Sequence, residues 1–340
     1  MINTRNLLSV RNLKQYFPVK GKKLLKANED ISFDIKKGET YALVGESGCG
    51  KSTLGRSILQ LYRPTAGSVF YYGGEREVDL CKLAKNELRG LRKELQVVFQ
   101  DPYSSLNPRR TVGQAVEEGI LTHGLCKDER RARERALKIF ADCGLPMESF
   151  SRYPHQFSGG QRQRVCIARA LAVEPKFIVC DECVSALDAS VQSQILNLLG
   201  ELKRKQSLTY LFISHDLSVV KYIADRVGVM YLGEIVEEGE VKEIFSRPAH
   251  PYTIALLSAS PTLSGRKKRT LYLSGNMPSP VTPPTGCKFH TRCFMAREIC
   301  KKQAPIFTEV KKGHFARCHF AEQAEKEKDA FLREEKGEKV

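Results

Sequence analysis

A glycine-rich segment, Gly45–Thr53, constrains the fold of this 340-residue chain more than any other feature. It reads GESGCGKST and matches the pattern G-x-x-x-x-G-K-[ST]. A mostly apolar run of strand length, Thr40–Val44, precedes it, and Ser52–Leu61 has the periodicity of a helix. Glycines allow successive backbone N–H groups to converge on phosphate oxygens beside a helix N-terminus. The segment therefore predicts a phosphate-binding loop in an α/β fold.

The last residues of this loop have distinct expected roles. Lys51 is expected to reach the β- and γ-phosphates of a nucleotide, and the Ser52 hydroxyl is expected to bind Mg²⁺. An accidental glycine-rich turn is the alternative, and the position between strand and helix disfavours it. The candidate nucleotide ligands in the loop are Gly45, Glu46, Ser47, Gly48, Cys49, Gly50, Lys51, Ser52 and Thr53.

Strands and helices alternate further along the chain. Phe177–Cys180 and Tyr210–Ser214 are apolar runs of strand length, and Val191–Lys203 between them has helical periodicity. This alternation predicts a mainly parallel sheet with helices on both faces. Between about 85 and 171 the chain becomes charge-dense, with apolar residues on one helical stripe, which predicts a largely helical insertion.

Two carboxylates follow the strand predicted at Phe177–Cys180. Asp181 is expected to lie beside the phosphate loop and to hold Mg²⁺ through water. Glu182 is then placed to polarise an attacking water molecule. Two acids after a strand are common in surface turns, but the phosphate loop upstream favours the catalytic interpretation.

A further segment, FSGGQRQRV at 157–165, resembles the signature of ABC ATPases. Its serine and glycines precede a helix and offer donors to a phosphate. The resemblance implies a P-loop NTPase fold with a mainly parallel sheet, an antiparallel β subdomain and a helical subdomain at about 85–171. It also implies that the segment contacts the nucleotide of a second subunit, so that two ATP molecules lie between two subunits. The residues concerned are Ser158, Gly159, Gly160 and Gln161.

Other motifs of this family occur in the expected order. Gln100 resembles the Q-loop glutamine, which contacts Mg²⁺ and couples to the membrane subunit, and Asp188 resembles the D-loop aspartate at the dimer seam. His215 resembles the switch histidine that contacts the γ-phosphate. Phe17, with Tyr16 as an alternative, resembles the aromatic residue that stacks on adenine. Each aromatic or histidine alone would more simply be a core residue, but the order and spacing of the motifs favour the functional interpretation.

Composition limits where such a chain can work. With 55 Lys and Arg against 39 Asp and Glu the formal net charge is +16, which suits a phosphate-rich ligand, an anionic membrane surface or nucleic acid. Trp is absent, and aromatic residues are not interleaved with basic clusters, which disfavours nucleic acid. No apolar stretch approaches the length of a membrane span, and no secretory signal is evident. We therefore expect a peripheral protein at the cytoplasmic face of the cell membrane.

Two C-terminal features resemble oligopeptide and dipeptide importers, in particular the F-type ATPase subunit of oligopeptide permeases. The first is His250-Pro-Tyr-Thr253, and the second is a cluster of four of the eleven cysteines. In a cytosolic chain such a cluster suggests a metal centre rather than disulfides. The resemblance implies a [4Fe–4S] cluster, with zinc or metal-free thiols as alternatives, in a structural role. The cysteines are Cys287, Cys293, Cys300 and Cys318.

The sequence thus predicts an ATPase domain at 1–260, a four-cysteine extension at 261–320 and a charged tail at 321–340. With its catalytic motifs intact, the chain is expected to hydrolyse ATP and to power peptide import. The resemblance implies a second, different ATPase subunit, two membrane-spanning permeases and an extracytoplasmic binding protein, with no nucleic acid. An importer of nickel or another small solute is the alternative. An inactive ATP-binding partner and a non-transport ABC ATPase acting on nucleic acid or ribosomes are less favoured.

Overall fold

The computed structural model describes residues 6–327, except 22, 75, 260–270, 272–274 and 325. Most of the charged tail predicted at 321–340 therefore lies outside the described residues. In the part that is described, the strands are β1 (Asn6–Val19), β2 (Lys23–Lys36), β3 (Thr40–Val44), β4 (Ala66–Tyr71), β5 (Val78–Asp79), β6 (Leu95–Val98), β7 (Phe177–Asp181), β8 (Thr209–Ile213), β9 (Arg226–Tyr231), β10 (Glu234–Glu240), β11 (Thr308–Lys311) and β12 (His314–Ala316).

The same residues form helices α1 (Lys51–Ile58), α2 (Lys85–Leu91), α3 (Val112–Thr122), α4 (Glu129–Asp142), α5 (Gly159–Leu171), α6 (Ala189–Gln206), α7 (Leu217–Ile223), α8 (Val241–Ser246), α9 (Pro251–Ala259) and α10 (Glu298–Lys302). None of the helices in this described part combines the length and apolar character needed to span a bilayer. The chain divides into two compact units. The first contains Met1–Ser9, Asp34–Thr40 and Val69–Ile213, and the second contains Val10–Phe33, Tyr41–Ser68 and Ser214–Val340.

A parallel sheet forms the centre of the first unit. Strand β7 lies between β6 and β8, and Phe177 is in register with both Leu95 and Thr209. All five residues of β7 are buried, as are all five of β8, which explains why both read as continuous apolar runs. The carboxyl end of β7 carries Asp181, so the sheet itself delivers the predicted acidic residue to its edge.

Three helices of the first unit, α3, α4 and α5, pack against one another. On α4 the small side chains Ala132 and Ala136 and the ring of Phe140 form the buried stripe, and the charged residues face outward. Phe140 packs edge-on against Phe150, with ring centroids 5.3 Å apart. The region predicted as largely helical also contains β6, a strand of the parallel sheet, and its packed helices begin only at Val112.

In the second unit, β3 is parallel to β9, and β9, β10, β12 and β11 follow as antiparallel neighbours. An aromatic cluster closes its core. Tyr231 of β9 and Tyr252 of α9 have ring centroids 4.8 Å apart, and Phe289 packs 5.2 Å and 5.4 Å from them. Phe289 therefore joins the C-terminal extension to the strand and helix that precede it, by burial of a large aromatic ring.

A buried carboxylate also connects distant segments of the second unit. Glu237 on β10 is fully buried. Its oxygens accept hydrogen bonds from the backbone N–H groups of Ala249 at 2.7 Å and His250 at 2.9 Å. The ring nitrogen Nε2 of His314 on β12 lies 2.8 Å from the same carboxylate. These partners compensate for the loss of water around a charged group.

The α/β class predicted from the sequence is confirmed. The strand expected at Thr40–Val44 is β3 without change, whereas the helix expected at Ser52–Leu61 is the shorter α1, Lys51–Ile58. The β11–β12 hairpin, at Thr308–Ala316, lies in a region where no strand was predicted.

Candidate nucleotide-binding site and cysteine cluster

The phosphate loop joins β3 to α1 in the second unit, as its sequence predicts. Lys51 is the first residue of α1, and its side chain is buried in the loop. The Lys51 ammonium donates hydrogen bonds to the carbonyl oxygens of Gly45 at 2.7 Å and Glu46 at 3.0 Å. The cation therefore sits inside a ring of backbone groups, where it can interact with a phosphate.

Two glycines of the loop are required by their surroundings. Gly50 has a φ of 108°, and a Cβ atom there would lie 2.2 Å from the carbonyl oxygen of Ala27. A Cβ atom at Gly45 would lie 2.3 Å from the carbonyl oxygen of Met230. Because neither approach is possible for a side chain, only glycine permits the backbone to close here. The Asn28 amide also donates to the Gly50 carbonyl oxygen at 3.1 Å, which fixes the start of α1.

The two candidate adenine-stacking residues, Tyr16 and Phe17, lie on β1 and are half-buried. The Tyr16 hydroxyl donates a hydrogen bond to the Glu29 carboxylate, and Phe17 packs edge-on against Tyr62 with centroids 5.4 Å apart. Burial opposes ionisation of Glu29, but hydrogen bonds from Tyr16, Lys26 and Lys14 outweigh it and lower the Glu29 pKa to about 2. The Tyr16 side chain is thus held by a hydrogen bond to Glu29, whereas Phe17 makes only a ring contact, which favours Phe17 as the adenine-stacking residue.

In the first unit, the structure brings together Gln100, a predicted Mg²⁺ ligand, and Glu182, a predicted catalytic residue. The side-chain amide of Gln100 donates a hydrogen bond to the Glu182 carboxylate at 3.1 Å. Glu182 has a φ of 48°, a left-handed conformation that is rare for residues other than glycine and that often marks functional sites. Its carbonyl oxygen accepts from the Ser185 N–H at 3.1 Å and hydroxyl at 2.9 Å, which holds this turn. Asp181 beside it is buried at the end of β7.

The signature segment forms the N-terminus of α5. Ser158 and Gln161 make a capping box, in which the Gln161 N–H donates to the serine hydroxyl at 3.3 Å and the Ser158 N–H donates to the glutamine side chain at 3.0 Å. Ser158 and Gly159 are exposed, and Gly160 is buried because it packs against Val191. The exposed end of this helix has the donor character required for a phosphate.

Asp188 and His215 also lie where chain order predicts. Asp188 caps the N-terminus of α6 and accepts from the backbone N–H groups of Ser190 and Val191 at 3.1 Å and 3.0 Å. A hydrogen bond from the Ser190 hydroxyl and these N–H groups lowers the Asp188 pKa. His215 follows the carboxyl end of β8 and is exposed. Tyr16, Phe17, the phosphate loop and His215 belong to the second unit, and Gln100, Ser158, Asp181, Glu182 and Asp188 belong to the first.

Comparison with known proteins identifies the family. Residues 28–185 match the ABC transporter family, and residues 236–300 match the C-terminal region of oligopeptide/dipeptide transporters. The chain is 48% identical over 327 residues to the oligopeptide transport ATP-binding protein AppF of Bacillus subtilis, an alignment that covers 93% of this chain and 98% of that protein. This chain belongs to the ATP-binding subunits of ABC transporters.

Two further comparisons extend this assignment. The dipeptide transport ATP-binding protein DppF of Escherichia coli is 47% identical to this ATP-binding subunit over 325 residues, covering 94% of this chain and 96% of DppF. Among solved structures, a dimer of the ATP-binding cassette MJ0796 in a post-hydrolysis state with ADP and Pi is similar with a TM-score of 0.62. It is 30% identical and covers 69% of this chain and 98% of its own. The P-loop ATPase fold predicted from the sequence is thereby confirmed.

The four C-terminal cysteines of the subunit line one small cavity, together with His250, His290 and Phe289. Its volume is about 10 Å³, close to the smallest space that accepts one water molecule. Burial raises the pKa of the Cys287 and Cys318 thiols to about 11 and that of Cys293 to about 12, and neighbouring thiols add to each shift. Such thiols give up their protons when a cation balances the charge, so the donor set fits a metal.

The four cysteines are not positioned as the ligands of a preformed metal site. Among the residues that the structure describes, no three His, Cys, Asp or Glu side chains are grouped so that they could hold a metal ion directly.

Sequence reasoning missed one pair of residues at the phosphate loop. Arg292 of the extension forms two hydrogen bonds to the carboxylate of Glu46 in the loop. The two residues are 246 positions apart, so no local pattern connects them. The one signal near Arg292 in the sequence is Cys293, the clustered cysteine that follows it immediately.

Proposed function

We propose that this chain is the ATP-binding and ATP-hydrolysing subunit that powers import of oligopeptides or dipeptides through an ABC transporter. The observation that carries the proposal is the combination of a complete phosphate loop with a C-terminal region of the oligopeptide/dipeptide transporter type. The relatives AppF and DppF are described as oligopeptide and dipeptide transport proteins, which supports the same class of cargo. The proposed ATPase domain is 1–260, followed by the extension at 261–320 and the tail at 321–340.

The proposed chemistry is hydrolysis of the γ-phosphate by water. Lys51 neutralises charge on the β- and γ-phosphates, and Glu182 accepts the proton of the attacking water. The hydrogen bond from Gln100 orients the Glu182 carboxylate. The direction in which the carboxylate points therefore depends on the position of Gln100. His215 contacts the γ-phosphate, and either Phe17 or Tyr16 stacks on adenine.

Mg²⁺ prefers oxygen ligands such as hydroxyl, amide and carboxylate oxygens. Ser52, Gln100 and Asp181 would hold it, and it would neutralise charge on the phosphate oxygens when bound. The buried carboxylate of Asp181, carried at the end of a fully buried strand, supports this role.

The proposed working unit contains a second, related ATPase. The exposed N-terminus of α5, with Ser158, Gly159, Gly160 and Gln161, would bind the nucleotide held by that second subunit, and Asp188 would lie at the seam. ATP bridges the two subunits through its phosphates, and hydrolysis removes the bridge and allows them to separate. The dimer of the similar cassette MJ0796 supports pairing of this kind.

The remaining proposed partners are two membrane-spanning permeases and an extracytoplasmic peptide-binding protein. The subunit would be held peripherally at the cytoplasmic face of the membrane by the permeases, and no nucleic acid would be bound. We also include a metal centre at the four clustered cysteines, with a [4Fe–4S] cluster or zinc as its occupant. Iron and zinc analysis of the purified protein distinguishes the two.

Affinity purification from detergent-solubilised membranes tests the proposal. A tagged chain should recover two membrane proteins, a related ATPase and a binding protein, whereas an untagged strain should recover none of them. Peptide bound to the recovered binding protein would establish the cargo class, and nickel or another small solute there would favour the related importers instead. Recovery of ribosomal proteins or nucleic acid in their place would contradict the transporter assignment.

A further inference from the structure

Arg292 links the cysteine-bearing extension to the phosphate loop by direct contact. It lies in a short turn, His290–Arg292, that separates Cys287 from Cys293, and its N–H donates to the Phe289 carbonyl oxygen at 3.0 Å. Its two terminal nitrogens donate to the two carboxylate oxygens of Glu46 at 2.7 Å and 3.0 Å. This is the bidentate geometry in which arginine and carboxylate bind most strongly.

The pair is shielded from solvent. The side chain of Arg292 is 6% exposed and that of Glu46 is 26% exposed. An arginine guanidinium stays charged at any pH at which a protein remains folded, so this contact is an ion pair. Because removing one partner of a shielded pair leaves the other charge unbalanced, the loop is expected to respond to any change at Arg292.

Glu46 is also held through its backbone. Its N–H donates to the Tyr252 hydroxyl at 2.8 Å, and its carbonyl oxygen accepts from the Lys51 ammonium at 3.0 Å. A shift of Glu46 would therefore move a hydrogen-bond partner of the lysine expected to bind phosphate. Met277, which precedes the four cysteines in the sequence, also lies close to the phosphate loop. Its methyl group would be 3.5 Å from a Cβ atom at Gly48.

The charges of Arg292 and Glu46 also affect how the loop interacts with ATP. An unpaired carboxylate in a phosphate-binding loop would repel the polyphosphate of ATP. Arg292 balances that carboxylate and also holds it in place, so the loop is already in position when the nucleotide arrives.

We propose that Arg292 is a positioning residue for the phosphate loop, and that through Glu46 it makes ATP affinity depend on the conformation of the cysteine-bearing extension. This inference rests on the proposed function of the loop. Coupling between two sites is reciprocal, so ATP binding must in turn stabilise the extension. The extension would then respond to nucleotide binding in addition to its structural role.

Binding of MgATP to a set of variants tests this inference. Arg292→Gln should weaken MgATP binding about tenfold, within the range of coupling between residues in contact. Arg292→Lys should recover part of that loss, because it restores the charge without the bidentate geometry. The double variant Glu46→Gln with Arg292→Gln should bind MgATP more tightly than Arg292→Gln but less tightly than the unmodified chain, because it removes the unpaired charge without restoring the contact that positions the loop. Arg297→Gln is the matched control, since Arg297 lies in the same extension but pairs with Glu327 of the tail.

Hydrogen–deuterium exchange provides a second readout, which follows the extension rather than nucleotide affinity. MgATP should slow exchange of the backbone amides of residues 286–302 in the unmodified chain and in Arg297→Gln, but not in Arg292→Gln. Equal MgATP affinity of Arg292→Gln and Arg297→Gln, or no change in exchange of this segment on MgATP binding, would overturn the inference. Failure of the unmodified chain to bind MgATP would instead overturn the proposed function on which it rests.

Discussion

Gln100 and Glu182 are 82 positions apart, and the amide of the first donates a hydrogen bond to the carboxylate of the second at 3.1 Å. The glutamine follows β6, the glutamate follows β7, and these strands are parallel neighbours. The sheet therefore places a residue expected to sense the membrane subunit against the residue expected to activate water. With the roles proposed for these two residues, a movement of the loop containing Gln100 would alter hydrolysis without a movement of β7.

Replacing Glu182 with glutamine should retain ATP binding and remove most turnover. The amide keeps the shape of the side chain but cannot accept a proton from water, and loss of a general base lowers rates by about 100- to 10,000-fold. Steady-state release of phosphate and equilibrium binding of nucleotide measure the two properties separately. Glu201→Gln, an exposed carboxylate on α6, is the control. Turnover of Glu182→Gln equal to that of the control would refute the role given to Glu182.

Replacing Gly50 with alanine should disrupt the phosphate loop. Its φ of 108° and the Ala27 carbonyl oxygen 2.2 Å from the required Cβ position leave no space for a methyl group. Thermal unfolding and nucleotide titration should both show the damage. Gly90→Ala, on α2 with nothing within 4 Å of the new methyl group, should instead stabilise the chain by about 0.5–1 kcal/mol. An intact nucleotide affinity in Gly50→Ala would mean that the loop can rearrange.

Local patterns were sufficient to predict the parts of the fold whose burial is continuous. Thr40–Val44 and Phe177–Asp181 are strands buried at every position, so their apolar runs are unambiguous. The hairpin β11–β12 was missed because the residues of β11 are largely exposed and show no apolar alternation. The turn residue Gly313, with a φ of 74°, was the available signal.

Some residues of the candidate site could likewise be predicted from local sequence, and others could not. Glu182 follows β7 directly, and Lys51 begins α1 after the loop that leaves β3, so a motif and its neighbouring strand predict where each lies. The contact of Arg292 with Glu46 depends on how the extension packs against the phosphate loop within the second unit, and nothing within a few residues of either reveals it. The end of α1 at Ile58 depends on the local backbone rather than on apolar periodicity, which continued to Leu61.

Removing one clustered cysteine should lower both metal content and the stability of the extension. Cys293→Ser retains the size of the side chain but replaces a thiolate donor, so bound iron or zinc per chain should fall by at least half. Elemental analysis and thermal unfolding are the measurements. Cys126→Ser, a free and partly buried cysteine of the first unit, is the control. Absence of stoichiometric iron and zinc from the unmodified protein would exclude a metal centre.

Stability at acidic pH should depend on Glu29. Its pKa is lowered to about 2 in the folded chain from an ordinary value of 4.5, so its contribution is fully present above about pH 4.5 and is lost as the pH falls toward 2. The difference in melting temperature between the unmodified chain and Glu29→Gln should therefore shrink over that interval. The matched variant Glu201→Gln should show a difference that stays near zero throughout. A constant difference between Glu29→Gln and the unmodified chain would contradict this role.

The buried carboxylate of Glu237 has a consequence for the growing polypeptide. His314, one of its partners, is synthesised 77 residues later. At a translation rate of about 5–20 residues per second, Glu237 waits roughly 4–15 s for this partner to be made. During that interval the backbone donors at Ala249 and His250 are the partners already synthesised. The ribosome-bound chain is therefore expected to complete the core of the second unit only after the segment containing His314 has been made, and a chain stalled before that point should present an unfinished core to chaperones.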